Sequence, residues 1–121
     1  MANVYDAAYN LVNTLKESNE YKEYKKAKEK IDNDPKLKEM IKDFKKKQFE
    51  IQTMQLQGKQ VASDDIYKLQ QLYQIISLHN DINEFLSKEI ILQKILADIT
   101  KIIAEAIDFD NEFLKDLEEN S

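Results

Sequence analysis

The 121-residue sequence contains no cysteine and only one histidine, one glycine and one proline. The absence of cysteine excludes disulfides, thiolate nucleophiles, iron–sulfur ligation and cysteine-type zinc sites. Because helix-breaking residues are so few, and because the isoleucines fall at helical spacing, no strands are predicted. We therefore predict an all-α, multi-helix bundle of about five or six helices that contains a long helical hairpin.

Arginine is also absent, since all 18 basic residues are lysine. The planar guanidinium fork that recognises phosphate or guanine with two hydrogen bonds is therefore missing. The lysines concentrate in residues 22–47, which hold eleven lysines and six acids, whereas residues 98–121 hold eight acids and two lysines. The net charge of −5 thus combines a basic segment with an acidic one.

Long apolar runs are missing as well, and the N-terminus has no basic region followed by an apolar core. These features predict neither export nor membrane spanning, so a cytoplasmic protein without membrane contact is expected. A chain of this length fits one domain. We predict a single helical domain over residues 1–121, with short helices in 3–33, a long hairpin in 35–107 and an acidic C-terminal tail in 108–121.

Helix boundaries are marked by capping residues. Four typical N-caps precede amphipathic stretches: Asn3, Ser18, Asp34 and Ser63. Pro35 follows at the first helical position, where its missing N–H costs nothing. Gly58 is predicted to end the long helix in a left-handed conformation, with residues 59–62 forming the turn of the hairpin.

The last helix has an unusually wide apolar face. At 100° per residue, the isoleucines, leucines and alanine between residues 91 and 107 fill an arc of roughly 160°, wider than the ~100° stripe of an ordinary surface helix. Such a helix needs two neighbours or a second subunit. We predict self-association, as a homodimer or higher oligomer, through six of these residues: Ile91, Ile95, Ile99, Ile102, Ile103 and Ala106.

The long helix after Pro35 has a seam with alternating steps of four and three residues, which is typical of a coiled-coil-like arm. Glutamines weaken this seam and are expected to face Asn80 and Asn83 across the hairpin, where they fix the register or select a partner. The predicted face for an unknown protein partner consists of Phe44, Gln48, Ile51 and Gln55.

No motif for catalysis or cofactor binding is found. His79 has neither a glutamate three residues before it nor a second histidine with which to share a metal. Carboxylate pairs such as Asp64 and Asp65 are expected in a chain with 23 acids and indicate solvated surface. There is no glycine-rich phosphate loop, serine elbow or calcium loop. We predict no enzyme and no catalytic, cofactor-binding or metal-binding residue.

The lysine stretch 45–47, flanked by Phe44 and Phe49, suggests an alternative function as a small RNA-binding module. Acidic residues are interleaved with these lysines, and the chain as a whole is acidic. Domains that grip phosphates are usually basic throughout, so direct nucleic-acid binding is disfavoured. A coiled-coil holdase-like chaperone is a second alternative.

Several short motifs occur in a fixed order along the chain: Val4-Tyr5-Asp6-Ala7-Ala8 with Leu11, Ser18-x-Glu20-Tyr21, Asp34-Pro35, Phe44-x₃-Gln48, Gln55-x-Gln57-Gly58, Asn80 and the isoleucine-rich last helix. In this order the chain resembles the YlbF/YmcA family of small bacterial helical regulators, and in particular its cysteine-free YheA-like branch. The resemblance covers nearly the whole chain.

The resemblance implies an all-helical homodimer or higher oligomer that acts as a non-enzymatic adaptor. Members are linked to control of competence, sporulation and biofilm formation, in some cases through a complex that assists an RNA-degrading endonuclease, so RNA-processing machinery is a possible partner. Some relatives bind iron–sulfur clusters through cysteines. This sequence has none, so cluster binding does not carry over.

Overall fold

The computed structural model describes residues 3–108, which form five α-helices. Their bounds are α1 Val4–Glu17, α2 Asn19–Asp32, α3 Pro35–Leu56, α4 Ser63–Ile76 and α5 Asn80–Ala106. No strand occurs within these residues. The all-α prediction is therefore confirmed, and the predicted acidic tail lies, from residue 109 onward, outside the described residues.

Three of the predicted N-caps are confirmed by their hydrogen bonds. The side chain of Asn3 accepts from the N–H of Asp6 at 2.9 Å, Ser18 Oγ accepts from a backbone N–H at 3.2 Å, and Asp34 Oδ1 accepts from two. Gly58 has the predicted left-handed backbone, with φ of 72°. These local signals fix where α1, α2 and α3 begin and where α3 ends.

The predicted capping role of Ser63 is wrong. Helix α4 begins at Ser63 itself, Ala62 occupies the cap position in extended backbone, and no side chain bonds to the first turn. Asp64 and Asp65 stand in that first turn instead, where their negative charge interacts favourably with the positive end of the helix dipole.

The predicted hairpin over residues 35–107 is divided differently. Its first limb is α3, but the returning limb stops at Ile76, and residues 77–79 turn the chain into α5. Asn83 Nδ2 donates to the carbonyl oxygen of Ser77 at 2.7 Å and closes this turn. Helix α5 is thereby free to leave α4 and pack along α2.

The core lies where α2, α3, α4 and α5 converge. Its buried residues are Ala27 and Ile31 from α2, Leu37, Ile41 and Phe44 from α3, Ile76 from α4, and Ile82 and Phe85 from α5. Every described helix except α1 therefore contributes to one cluster.

Helices α2 and α5 run antiparallel. Lys30 near the end of α2 pairs with Glu84 near the start of α5 at 3.4 Å. Glu23, earlier in α2, pairs with Lys88, later in α5, at 2.9 Å. Residue numbers therefore increase in opposite directions along the two helices. Between these ion pairs the rings of Tyr24 and Phe85 stack at 5.8 Å.

Helices α3 and α4 form the actual hairpin, and α3 also lies beside α5. Lys47 pairs with Asp65 of α4 at 2.7 Å, and Lys45 pairs with Glu89 of α5. Because the short turn after α2 sends α3 back along it, α3 and α5 both run antiparallel to α2 and hence parallel to each other. The Lys45–Glu89 pair is the bridge between them.

Candidate functional site

The second half of α5 extends beyond the core. Since Glu23 lies level with Lys88, α2 begins near the level of residue 92, and α5 continues for about fourteen residues, roughly 21 Å at 1.5 Å per residue. Of the predicted self-association residues, Ile91, Ile102, Ile103 and Ala106 are exposed, while Ile95 and Ile99 are half-buried. The structure thus leaves most of the predicted arc uncovered.

Helix α1 is the second uncovered apolar element. None of its residues is buried, and it contacts α2 across the break at Ser18, whose extended backbone separates the two helices. Its apolar residues are nevertheless at helical spacing, and the large ones exposed are Val4, Tyr5, Tyr9, Leu11 and Val12. We call α1 together with residues 91–107 of α5 the arm surface.

The sequence predicted the α5 part of the arm surface but not that of α1. An amphipathic pattern indicates that a helix face packs against something, but not whether another helix of the same chain covers it. The sequence of α1 shows the amphipathic pattern, but it does not show that the rest of the chain leaves this face exposed. Exposed apolar area on this scale is unusual for a monomer.

A groove runs between the parallel helices α3 and α5, with α4 at one side. It encloses about 720 Å³, and the Lys45–Glu89 ion pair lies in its wall. Phe49, Tyr73 and Ile90 line it and are largely exposed. Four amide side chains also line the groove: Gln48, Gln52, Asn83 and Gln93. We call this the α3–α5 groove.

The predicted partner face maps onto this groove only in part. Phe44 lines it but is buried, with its ring 6.0 Å from that of Tyr73, and Ile51 is also buried. Gln48 and Gln55 are exposed. The heptad-like spacing identifies the side of α3 that packs against neighbouring helices. The apolar residues on that side are therefore buried in the subunit, whereas the glutamines remain exposed.

The lysine stretch is committed to intramolecular pairs more than the sequence suggested. Lys45 donates to Glu89, and Lys47 donates to Asp65 and lies 3.7 Å from Glu50. The hydrogen bond from Lys47 holds the pKa of Asp65 below its usual value. Two of the three lysines therefore tie α3 to its neighbours, which weakens the case for a continuous basic stripe.

No cluster of three His, Asp or Glu side chains able to hold a metal is found in residues 3–108, and no polar side chain of that range is buried. His79 occupies the position just before α5, where its side chain makes no capping bond. No helix of the described range is long and apolar enough to cross a bilayer.

Comparison with known proteins places the chain among bacterial relatives. The family profile described as "Control of competence regulator ComK, YlbF/YmcA" matches residues 4–108. A UPF0342 protein of Caldicellulosiruptor saccharolyticus is 63% identical over 118 residues, which cover 98% of each chain. A UPF0342 protein of Symbiobacterium thermophilum is 42% identical over 112 residues, which cover 93% of this chain and all of the relative.

The fold is also found in a solved structure. A protein of unknown function (DUF964) from Bacillus stearothermophilus superposes with a TM-score of 0.73 over 87% of this chain and 92% of the other. At 16% identity this likeness concerns the arrangement of the helices. It agrees with the all-α bundle described above.

Proposed function

Because the chain belongs to the YlbF/YmcA family of regulators, we propose that it is a non-enzymatic regulatory adaptor that dimerises through the arm surface and binds a protein partner in the α3–α5 groove. The family supports the regulatory role. The adaptor mechanism and the homodimer are proposed from the surfaces of this chain.

The observation that carries the proposal is the uncovered arm surface. Ten of its large apolar side chains are exposed: Val4, Tyr5, Tyr9, Leu11, Val12, Ile91, Leu96, Ile102, Ile103 and Ile107. With each exposing on the order of 100 Å², the apolar area is roughly 1,000 Å² per copy, above the ~800 Å² that each partner of a standard interface buries. This area is enough for a stable dimer.

A second copy of the chain fits the arm surface because the large exposed side chains of α1 and α5 are apolar in both copies. In an isologous dimer the same patch is used twice around a two-fold axis. With that axis perpendicular to α5, the two arms overlap antiparallel along residues 91–107, and the two cores lie at opposite ends without collision. The product is a four-helix arrangement of two α1 and two α5 helices.

The α3–α5 groove then remains accessible for a different partner. Its exposed Phe49, Tyr73 and Ile90 provide apolar anchors. Its charged residues Lys45 and Glu89 neutralise each other. An amphipathic helix with few charges on its bound face matches such a groove, in the manner of other helix-in-groove complexes.

The test combines oligomeric state with partner capture from the native cell. We expect the native chain to be a homodimer by light scattering and to retain a defined protein. A Phe49→Asp, Ile90→Asp variant should stay dimeric and lose that protein. Lys68→Asp, an exposed change on α4 outside the groove, is the control and should retain it.

Three results would contradict the proposal. A native chain that is monomeric at micromolar concentration would exclude dimerisation through the arms. Retention of the same partner by the groove variant would exclude the groove. Suppression of aggregation of unrelated unfolded proteins, with no defined partner, would favour the holdase alternative.

A further inference from the structure

A pocket rimmed by lysines lies on the side of the core formed by α2, α3 and α5. It encloses about 310 Å³, and Ile41 and Phe85 contribute to its apolar floor. Four lysines surround the floor: Lys28 from α2 and Lys38, Lys42 and Lys45 from α3. We call this the lysine pocket. The adaptor function proposed above does not use it.

The lysine pocket carries excess positive charge. Asp32 lies 3.0 Å from Lys28 and 3.6 Å from Lys38, and so is shared between two lysines. Lys45 pairs with Glu89. Within residues 3–108, no carboxylate lies within ion-pair distance of Lys42. Four cations thus face two anions at this site.

The lysine pocket also offers apolar contact. Lysine side chains present aliphatic stems below their charged ends, and these stems extend the floor outward. Lys45 Nζ stands 5.4 Å from the centre of the Phe85 ring, so even this cation lies against an apolar surface. A ligand that matches the pocket therefore combines carboxylates with aromatic or leucine side chains.

The chain itself contains a segment with this composition. Residues 109–121 hold five acids and one lysine, interspersed with Phe109, Phe113, Leu114 and Leu117. We propose that residues 109–121 of one copy bind the lysine pocket of a second copy. The matching charges and the matching apolar side chains carry this inference, which rests on the antiparallel dimer proposed above.

Distances favour binding between copies over binding within one chain. The distance along α5 from Ala106 back to the level of Phe85 is about 32 Å at 1.5 Å per residue. Thirteen extended residues span at most about 45 Å, so within one chain only the last few residues reach the pocket, without Phe109 or Phe113. In the antiparallel dimer, the end of one α5 lies near residue 91 of the other, only about 9 Å from the level of Phe85.

Cysteine cross-linking of the full-length chain tests the inference directly, because the native sequence has no cysteine. A Lys42→Cys copy is mixed with a Lys115→Cys copy and treated with a short bis-maleimide. A Lys68→Cys copy, which removes the same charge from exposed α4, replaces Lys42→Cys in the control. Circular dichroism confirms that each variant is helical, and light scattering reports the oligomeric state of each mixture.

We expect cross-linking between copies to be at least about tenfold faster for the Lys42→Cys mixture than for the control, because docking raises the local concentration of the two thiols. The rate should fall as salt rises and the Debye length shrinks from ~10 Å at 0.1 M to ~3 Å at 1 M. Both effects together support binding of the acidic segment in the lysine pocket of the second copy.

Two outcomes overturn the inference and are distinguishable from failure of the proposed function. Dimers that cross-link no faster than the control exclude the docking but leave self-association intact. A chain that carries both Lys42→Cys and Lys115→Cys is diluted in excess cysteine-free protein, so that its dimer partner has no cysteine. Cross-linking within this double-variant chain would show that the acidic segment binds the lysine pocket of its own chain. Monomers in the light-scattering measurement overturn both the dimer and the docking between copies.

Discussion

Replacing Ile102 and Ile103 by aspartate is expected to separate the dimer while leaving each subunit folded. These side chains are 65% and 52% exposed in the single chain. Full burial of an isoleucine stabilises by about 1.5–3 kcal/mol, so covering the exposed part contributes roughly 1–2 kcal/mol for each. The dimer contains four such side chains, which gives roughly 4–8 kcal/mol, or a dissociation constant about 10³–10⁶-fold higher.

Sedimentation equilibrium over a wide concentration range measures this change. The native chain should show twice its 14.3 kDa mass at micromolar concentration, and the double variant should show the mass of one chain. Lys101→Asp is the matched control, since it changes the net charge by the same two units on the opposite side of α5, where Lys101 is exposed. The control should remain dimeric.

The reasoning is refuted if the double variant dimerises as tightly as the native chain. It is also refuted if the control dissociates equally, because general charge repulsion would then explain the effect. Circular dichroism must show equal helicity in all three proteins. Exposed positions away from the core usually alter stability by less than about 0.5 kcal/mol, so the subunits themselves should stay folded.

Three further predictions concern the stability of the subunit. Replacing Ile82, which has no exposed surface, by alanine should lower the free energy of unfolding by about 2–5 kcal/mol, as measured by urea unfolding. A loss below about 1 kcal/mol would place Ile82 outside the core. Gly58→Ala should cost about 1–2 kcal/mol, since φ is 72° and no atom blocks the added methyl group; an unchanged unfolding midpoint would contradict this. The hydrogen bond from Lys47 lowers the pKa of Asp65 in the folded protein. The ion pair therefore stabilises the fold fully at pH values above the pKa that Asp65 has in the unfolded chain, which is about 4. This stabilisation is lost as the pH falls through the lower pKa that Asp65 has in the folded protein. Asp65→Asn should therefore lower the melting temperature at pH 7 and have less effect near pH 3. Asn at exposed Asp64, which loses the helix-dipole interaction but no ion pair, should lower the melting temperature at pH 7 by less; a deficit of Asp65→Asn that is equal at both pH values would refute the assignment.

Local chemistry explains which boundaries could be predicted from sequence. Asn3, Ser18 and Asp34 act through bonds to N–H groups two or three residues away, and Gly58 acts through its own backbone angle. None of these needs knowledge of the tertiary structure. Ser63 was misjudged because its neighbour Ala62 adopts the extended backbone of the cap position, and the acids that follow stabilise the first turn without a capping side chain.

The candidate surfaces were harder to predict because they depend on which helix covers which face. Apolar residues occur along the whole of α5, yet Ile82 and Phe85 in its first half are buried and Ile102 near its end is exposed. The difference arises from length, since α2 has 14 residues and α5 has 27. Similarly, Phe44 and Gln48 share one seam of α3, but the fold buries the first and exposes the second.

The two proposed contacts between copies should respond oppositely to salt. The arm surface is apolar, and its contribution to binding does not depend on attraction between charges. Docking of residues 109–121 in the lysine pocket depends on such attraction and is screened as the Debye length falls. High salt should therefore release the acidic segment while the dimer persists. The lysine pocket would then be exposed without dissociation, and an acidic segment of another protein would be able to compete for it. Ionic conditions or a competing acidic ligand would in this way change the surface that the adaptor presents while its subunit composition stays constant.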